Sequence, residues 1–228
     1  MIRDPENLES RFVHDLLGPS AGRVLEVGCG DGRLTGEIQS ISGRLLGLDP
    51  DPDSIEKARH LLETGVNLIL ASGDSLPFAD NSMDTVVFSL SLHHHPDPGT
   101  ALGEARRVLR ENGLILVLEP EAESPINQLF RIIYNEDHAY VRTEAAIEEC
   151  GIEVTDQGTY ETAWRFVDFN EMVAYLFEHF HLEPDPEHAG SMAELLPDHR
   201  DSKPLEVGDT TRYWVLRAGS GKDQTQVR

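Results

Sequence analysis

Lysine is scarce in this 228-residue sequence, and positive charge is scarce overall. The 19 basic residues, only three of them lysines, face 41 acidic residues, which gives a formal net charge of −22. A surface of that charge repels nucleic-acid phosphates, and it forgoes the counterion release that drives nucleic-acid binding. The richest basic stretch, Arg106 to Arg110, is expected to form the solvated face of a helix. We therefore expect no nucleic-acid partner.

Cysteine and long apolar runs are also lacking. Cys29 and Cys150 are too few for a disulfide framework or a zinc site. No apolar run reaches the roughly 18 residues of a membrane-spanning helix. The first residues, MIRDPENLESRF, lack the apolar stretch of a secretory signal. The sequence therefore predicts a cytoplasmic protein with no membrane span and no bound metal.

What the sequence does contain is a glycine-rich turn after a buried-strand pattern, in the stretch RVLEVGCGDGRL. Val24, Leu25 and Val27 are typical of a parallel strand that is covered on both faces. Glycine then occupies every second position from Gly28 to Gly32. Glycine tolerates positive φ and lets a ligand approach the backbone, and a following helix N-terminus offers free N–H groups. The pattern predicts a ligand site. Other α/β nucleotide-binding proteins have the same kind of glycine-rich turn, so the pattern alone leaves that class open.

The same stretch, VLEVGCGDG, resembles the first motif of the class I S-adenosylmethionine-dependent methyltransferases. The dinucleotide motif G-x-G-x-x-G would instead need glycine where Arg33 stands. In the methyltransferases an acidic residue and the glycine loop hold the methionine end of the cofactor. The resemblance assigns this role to Glu26, Gly28, Cys29, Gly30, Asp31 and Gly32.

An acidic residue ends the second predicted strand, Leu45 to Leu48. Asp49, followed by Pro50, stands where nucleoside-binding doubly wound sheets place a carboxylate that accepts hydrogen bonds from both ribose hydroxyls. A helix N-cap is the alternative role for Asp49. Together with the glycine loop, the position favours the ribose role, with Pro50 beside it.

A further stretch, Gly73-Asp74-Ser75-Leu76, follows a third apolar strand and resembles the second motif of the same family. The resemblance implies that Asp74 accepts from the exocyclic amine of adenine and that Leu76 covers the ring. The fourth strand, expected over residues 85–92, carries Ser89 and Leu90 to the same site. The resemblance thus places Gly73, Asp74, Ser75, Leu76, Ser89 and Leu90 at the cofactor.

Three histidines follow the fourth strand, in the sequence HHHPDP. Leu92, His94 and Asp97 are similar to the pattern of the methyltransferase type 11 group, which includes ubiquinone and menaquinone methylases. His94 is a candidate cofactor contact and a candidate base, or else a histidine bonded to backbone beneath the cofactor. A metal site is disfavoured, because adjacent side chains on a turn point apart and no Cys or Glu nearby completes a tetrahedral set. Asp97 before Pro98 predicts a helix N-cap.

The resemblance implies a Rossmann-like, doubly wound α/β fold with a seven-stranded, mostly parallel sheet. Helices cover both faces, and an antiparallel last strand lies between the fifth and sixth strands. We expect one methyltransferase domain over residues 1–218. Its predicted parts are an N-terminal helix within 1–20, a helical cover insertion over 121–142, a helix plus mobile acidic loop over 168–208, and a disordered tail over 219–228.

The predicted function is methyl transfer from S-adenosylmethionine to a small-molecule acceptor, with S-adenosylhomocysteine as the product. A base is needed only for an acceptor that is protonated at neutral pH, and its candidates are His94, Tyr134, His138 and Tyr140. A non-catalytic S-adenosylmethionine-binding regulator and a NAD-dependent oxidoreductase are the alternatives. The acidic charge disfavours a protein or tRNA methyltransferase, except one that acts on a basic protein. The methylated atom and the oligomeric state stay open.

Overall fold

The computed structural model describes residues 1–18, 21–39, 44–62, 66–197 and 200–218, so the predicted tail over 219–228 lies outside the described residues. The strands are β1 Ile2–Arg3, β2 Arg23–Val27, β3 Arg44–Asp49, β4 Asn67–Leu70, β5 Met83–Ser89, β6 Leu109–Pro120, β7 Glu153–Phe166 and β8 Leu205–Arg217. The helices are α1 Leu8–Leu17, α2 Thr35–Gln39, α3 Pro52–Leu61, α4 Pro98–Val108, α5 Pro125–Ile133, α6 Asp137–Glu149, α7 Phe169–His179 and α8 Pro186–Leu195, with a 3-10 turn at Leu92–His94. None of the helices described is both long and apolar enough to cross a lipid bilayer.

The strands form one sheet in the order β1-β7-β8-β6-β5-β2-β3-β4. The five strands from β2 to β6 pair in parallel. The chain moves outward from β2 through β3 to β4, and then returns to the other side of β2 for β5 and β6. Because such crossovers are right-handed, the helices after β2 and β3 lie on one face of the sheet and α4 lies on the other. The predicted doubly wound fold is confirmed.

The last strand, β8, lies between β6 and β7, as predicted. It runs antiparallel to β6, since Ala218 N–H donates to the Gly113 carbonyl and Glu121 N–H donates to the Thr210 carbonyl. Over the residues that the structure describes, the sheet has eight strands rather than the predicted seven. The extra strand is β1, whose Ile2 and Arg3 pair antiparallel with β7. A two-residue strand has no periodicity, so the sequence carries no signal for it.

Two predicted segments end or fold differently from expectation. The fourth strand ends at Ser89 rather than Leu92, because Leu90 has a φ of 52°, in the left-handed region, and a 3-10 turn follows. Residues 183–208, the part of 168–208 that was expected to be a mobile acidic loop, contain helix α8 and the start of β8. Asp185 caps α8 by accepting from two backbone N–H groups.

Two compact units divide the chain. The glycine-loop unit comprises the described residues of 10–119, 141–158 and 212–218, and its core packs aliphatic side chains of the parallel strands against α4. The aromatic unit comprises Met1–Glu9, Pro120–Tyr140 and Thr159–Thr211. Its core contains side chains of α5, α7 and α8, together with Trp164 and Phe166.

Candidate cofactor site

The glycine loop that follows β2 is held against the end of β3. The N–H groups of Gly28 and Cys29 both donate to the Leu48 carbonyl, at 2.8 and 2.9 Å. Gly28 and Gly30 have φ values of 75° and 54°, which glycine adopts without steric cost. A Cβ on Gly28 would lie 2.4 Å from the Ser91 Cβ, whereas a Cβ on Gly30 would meet no atom within 4 Å. Gly28 is therefore packed against protein, and Gly30 faces open space.

The Asp49 carboxylate is fixed by backbone N–H groups on both of its oxygens. Oδ2 accepts from Gly30 N–H and Oδ1 accepts from Asp51 N–H, each at 2.9 Å. A carboxylate oxygen has two acceptor positions, so each oxygen retains one for a ligand hydroxyl. The helix cap that was the alternative for Asp49 is made by Asp51, whose carboxylate accepts from Asp53 N–H and Ser54 N–H.

Glu26 and Arg33 flank the loop with opposite charges. Glu26 is only 2% exposed, and its Oε2 accepts from the Thr35 hydroxyl at 2.6 Å. Arg33, which stands where the dinucleotide motif needs glycine, donates from Nη2 to Ser89 Oγ at 3.0 Å. Ser89 is the last residue of β5, so this bond joins the glycine loop to the neighbouring strand end.

The thiol of Cys29 should be inert in the folded protein. Burial raises its pKa far above the ordinary range, and the carboxylates of Glu26 and Asp49 raise it further. Since the thiolate is the reactive form, N-ethylmaleimide at pH 8 should leave Cys29 unmodified and modify it after unfolding in urea. Mass spectrometry of peptides resolves it from the half-buried Cys150. Rapid labelling of Cys29 in the native protein would contradict this.

The Asp74 loop lies after β4 and is tied to two other elements. Asp74 Oδ1 lies 2.7 Å from Nδ1 of His95, which follows the 3-10 turn. Leu76 is 5% exposed, and its N–H donates to Glu104 of α4 at 2.8 Å. Ser75 is exposed at the turn between them. These bonds fix the loop to which the family resemblance assigns the adenine ring.

Arg107, on the same face of α4, completes this attachment. Its guanidinium donates to the carbonyls of Leu76 and Phe78 and to the carboxylates of Asp80 and Glu104, all at 2.8 to 2.9 Å. Arg107 lowers the pKa of Glu104, mainly by hydrogen bonding. The expectation of a solvated basic face was wrong for Arg107, because a sequence pattern does not reveal carbonyl acceptors distant in the chain.

Replacing Arg107 with methionine should loosen the Asp74 loop. We expect the free energy of unfolding to fall by about 1–3 kcal/mol, since several charge-assisted hydrogen bonds are lost from a partly exposed side chain. Binding of S-adenosylhomocysteine should weaken by about tenfold. Urea denaturation and titration calorimetry measure the two effects. Arg106→Met, at an exposed neighbour on α4, is the control, and an equal loss in both variants would count against this role for Arg107.

The three consecutive histidines have different environments. His93 is 5% exposed, and its Nδ1 contacts the buried carboxylate of Glu119, which also accepts from the N–H groups of Leu92 and His93. His94 is exposed, with its ring centroid 3.9 Å from that of His93. His93 and His95 thus both contact carboxylates, and the sequence singled out neither of them. The only sequence signal for Glu119 was an acidic residue at a strand end.

The other candidate bases belong to the aromatic unit. Tyr134 caps the end of α5 and is 59% exposed, and His138 is exposed on α6. Tyr140, on the same helix, donates from its hydroxyl to Glu136 Oε2 at 3.4 Å. The catalytic roles of these residues and of His94 stay predictions.

The predicted cofactor residues converge because the strands are parallel. The carboxyl ends of β2, β3, β4 and β5 lie at one edge of the sheet, beside the point where the strand order reverses, which is where open α/β sheets bind ligands. The last residues of these strands and the loops that follow them carry the predicted cofactor residues, which are Glu26, Gly28, Cys29, Gly30, Asp31, Gly32, Asp49, Pro50, Gly73, Asp74, Ser75, Leu76, Ser89, Leu90 and His94. Their individual contacts with a cofactor stay predictions.

Comparison with known proteins identifies the family. A family profile described as a methyltransferase domain matches residues 25–117. The chain is 31% identical over 196 residues to the ubiquinone/menaquinone biosynthesis C-methyltransferase of Hahella chejuensis, covering 82% of this chain and 71% of that protein. The chain belongs to the class I S-adenosylmethionine-dependent methyltransferases. The predicted family is thus confirmed, and S-adenosylmethionine is the cofactor of this class of enzymes.

Other methyltransferases are similar to this chain over a shorter stretch or at lower sequence identity. The demethylmenaquinone methyltransferase of Staphylococcus epidermidis is 34% identical over 118 residues, covering 50% of this chain and 48% of that protein. A methyltransferase crystal structure from Bacillus halodurans has the same fold, with a TM-score of 0.62 at 17% identity over 92% of this chain and 99% of that one. Against several other curated relatives the chain spans only 31% to 56% of their length.

The residues present fit the methyltransferase cofactor. Open space stands above Gly30, where a Cβ would meet nothing within 4 Å. The Asp49 carboxylate beside it is 9% exposed and retains acceptor capacity for a ribose. A backbone that a ligand can approach and an adjacent fixed carboxylate are what the nucleoside part of S-adenosylmethionine needs.

Proposed function

We propose that this protein transfers the methyl group of S-adenosylmethionine to a small-molecule acceptor. One observation carries the proposal. A Cβ on Gly30 would face open space, and the N–H of the same residue donates to the Asp49 carboxylate and holds it beside that space. We also propose that residues 1–218 act as one methyltransferase domain. The supporting observation is that the match to the Hahella protein covers 82% of the chain, more than either compact unit alone.

In this proposal the protein binds and orients, while the sulfonium of the bound cofactor supplies an activated methyl group. Asp49 accepts from the ribose hydroxyls, and Glu26 with the glycine loop holds the methionine end. Asp74 and Leu76 recognise adenine. An acceptor with a hydroxyl or thiol also needs a base, for which His94, Tyr134, His138 and Tyr140 are the candidates.

A small acceptor is supported by charge and by the relatives. The net charge of −22 disfavours an anionic polymer as substrate. Relatives from Hahella and Staphylococcus are named for ubiquinone, menaquinone and demethylmenaquinone, which are small molecules. We therefore infer an acceptor of that size class. The predicted cytoplasmic location stays a prediction.

Two measurements, made one after the other, test the proposed function. Titration calorimetry with S-adenosylmethionine and S-adenosylhomocysteine should give binding at micromolar concentrations, and no heat up to about 1 mM would reject it. Transfer of a tritiated methyl group to a panel of quinones, phenols, amines and thiols then tests the reaction. Cofactor binding without transfer to any member would favour a non-catalytic regulator. A change in NADH fluorescence on mixing would favour an oxidoreductase.

A further inference from the structure

His95 joins two loops of the candidate site that are distant in sequence. It follows the 3-10 turn after β5, where its N–H donates to the Leu92 carbonyl at 3.1 Å. Its Nδ1 lies 2.7 Å from Asp74 Oδ1, on the loop after β4. The side chain of His95 is 11% exposed and that of Asp74 is 33% exposed, so the pair is covered on the histidine side and open on the carboxylate side.

Packing holds the His95 ring in one orientation. A Cβ on Gly73 would lie 2.6 Å from Cε1 of His95 and 2.5 Å from Cγ1 of Val27, so only glycine lets the ring lie where it does. On another side, the Phe88 ring meets the His95 ring edge to face, with centroids 6.0 Å apart. A ring confined in this way presents Nδ1 in a fixed direction.

The fixed direction determines which atoms of Asp74 remain available. An ionised carboxylate only accepts hydrogen bonds, so Nδ1 of His95 carries the hydrogen and donates to Oδ1. Turning the Asp74 side chain away would break this bond, so the bond holds the carboxylate in place. The other carboxylate oxygen, Oδ2, is then the acceptor that faces a ligand. A residue that recognises a ligand is preorganised when a neighbouring side chain holds it in the binding orientation by a hydrogen bond, as His95 does for Asp74.

We propose that His95 is a positioning residue that holds the Asp74 carboxylate as an acceptor, and that the site thereby selects a 6-amino purine over a 6-oxo purine. This inference rests on the proposed cofactor site. Adenine offers an N–H donor at position 6, whereas hypoxanthine offers an oxygen, which a fixed carboxylate repels. If the Asp74 carboxylate were free to turn away, it would avoid this repulsion, and the preference for the 6-amino purine would fall.

The test compares the binding of S-adenosylhomocysteine and S-inosylhomocysteine by titration calorimetry. The wild-type protein should prefer the adenosine compound by about 100-fold or more, as sites built around a ligand hydrogen bond do. His95→Phe keeps a ring against Gly73 and Phe88 but removes the Nδ1–H donor, and it should lower the preference by about tenfold. His95→Asn, whose side-chain amide can donate in place of Nδ1–H, should retain most of the preference.

Asp74→Asn supplies the matched control. This variant should lose the preference, and adding His95→Phe to it should change the ratio no further, because the two residues act through one bond. Thermal denaturation of each variant verifies that the protein is folded at the titration temperature. An unchanged ratio in folded His95→Phe would overturn the role of His95 while leaving the proposed function intact.

A measurement without ligand separates this inference from the proposed function. The imidazole ¹⁵N signals of the ligand-free protein should show that Nδ1 of His95 is protonated, and Asp74→Asn should shift that signal. An unprotonated Nδ1 would overturn the inference. If the wild-type protein binds neither compound, the proposed function and the selectivity both fail, even where the ¹⁵N signals confirm the pair.

Discussion

Replacing Asp49 with alanine should weaken the binding of S-adenosylhomocysteine by about 100-fold or more. Hydrogen bonds to a charged group contribute about 1.5–3 kcal/mol each, and in the proposed site the variant loses those from the two ribose hydroxyls. It also leaves the N–H groups of Gly30 and Asp51 without the oxygens that hold the loop in place. Titration calorimetry measures the affinity, and circular dichroism verifies the fold.

Asparagine at position 49 should be nearly as damaging as alanine, although it has the same shape. Both Asp49 oxygens accept from backbone N–H groups, and an amide offers only one acceptor, so its NH₂ would face a second donor. Asp51→Ala is the matched control, because Asp51 lies two residues away and caps α3. It should lose some stability and keep its affinity. Affinity of Asp49→Ala within about threefold of wild type would exclude the ribose role.

Alanine at Gly28 should mainly lower stability, whereas alanine at Gly30 should mainly weaken ligand binding. Gly28→Ala should lower the free energy of unfolding by about 2–5 kcal/mol, because its Cβ would lie 2.4 Å from the Ser91 Cβ at a φ of 75°. Gly30→Ala should cost only about 1–2 kcal/mol, from its φ of 54° alone. It should nevertheless weaken S-adenosylhomocysteine binding by more than about tenfold, since the added methyl stands in the open space.

Urea denaturation gives the stabilities and calorimetry gives the affinity of each folded variant. The two glycines share one loop and one motif, so each variant serves as the control for the other. If Gly30→Ala bound the ligand as well as wild type, the open space above Gly30 would not be where the cofactor binds. If Gly28→Ala were as stable as wild type, the loop would have another packing against Ser91.

The sequence was most informative where a residue type has one physical use. Glycine at alternate positions after an apolar run predicted the loop, and Gly28, Gly30 and Gly32 all have positive φ. An acid at a strand end predicted the placement of Asp49 beside that loop, where its carboxylate meets Gly30 N–H. Such features follow from local backbone geometry, so a sequence pattern of a few residues is enough to reveal them.

The sequence failed where the outcome depends on which chain segments meet. It singled out His94 among three histidines, but it did not single out His93 or His95, whose Nδ1 atoms contact the carboxylates of Glu119 and Asp74. A turn sends successive side chains in different directions, so the contacts of His93 and His95 depend on where the fold places Glu119 and Asp74. It also placed Arg107 on a solvated face, although Arg107 donates to the Leu76 and Phe78 carbonyls.

The sequence by itself determined the parallel sheet, the glycine loop and the acids that follow its strands, because buried-strand patterns and glycine spacing are local properties of the chain. Only the tertiary structure decided how those acids are used. Asp49 receives two backbone N–H groups, Asp74 is paired with His95, and the Asp74 loop is bonded to α4. Apart from the local contact between Asp49 and Asp51, these contacts join residues 19 to 28 positions apart, and only packing brings such residues within hydrogen-bond distance.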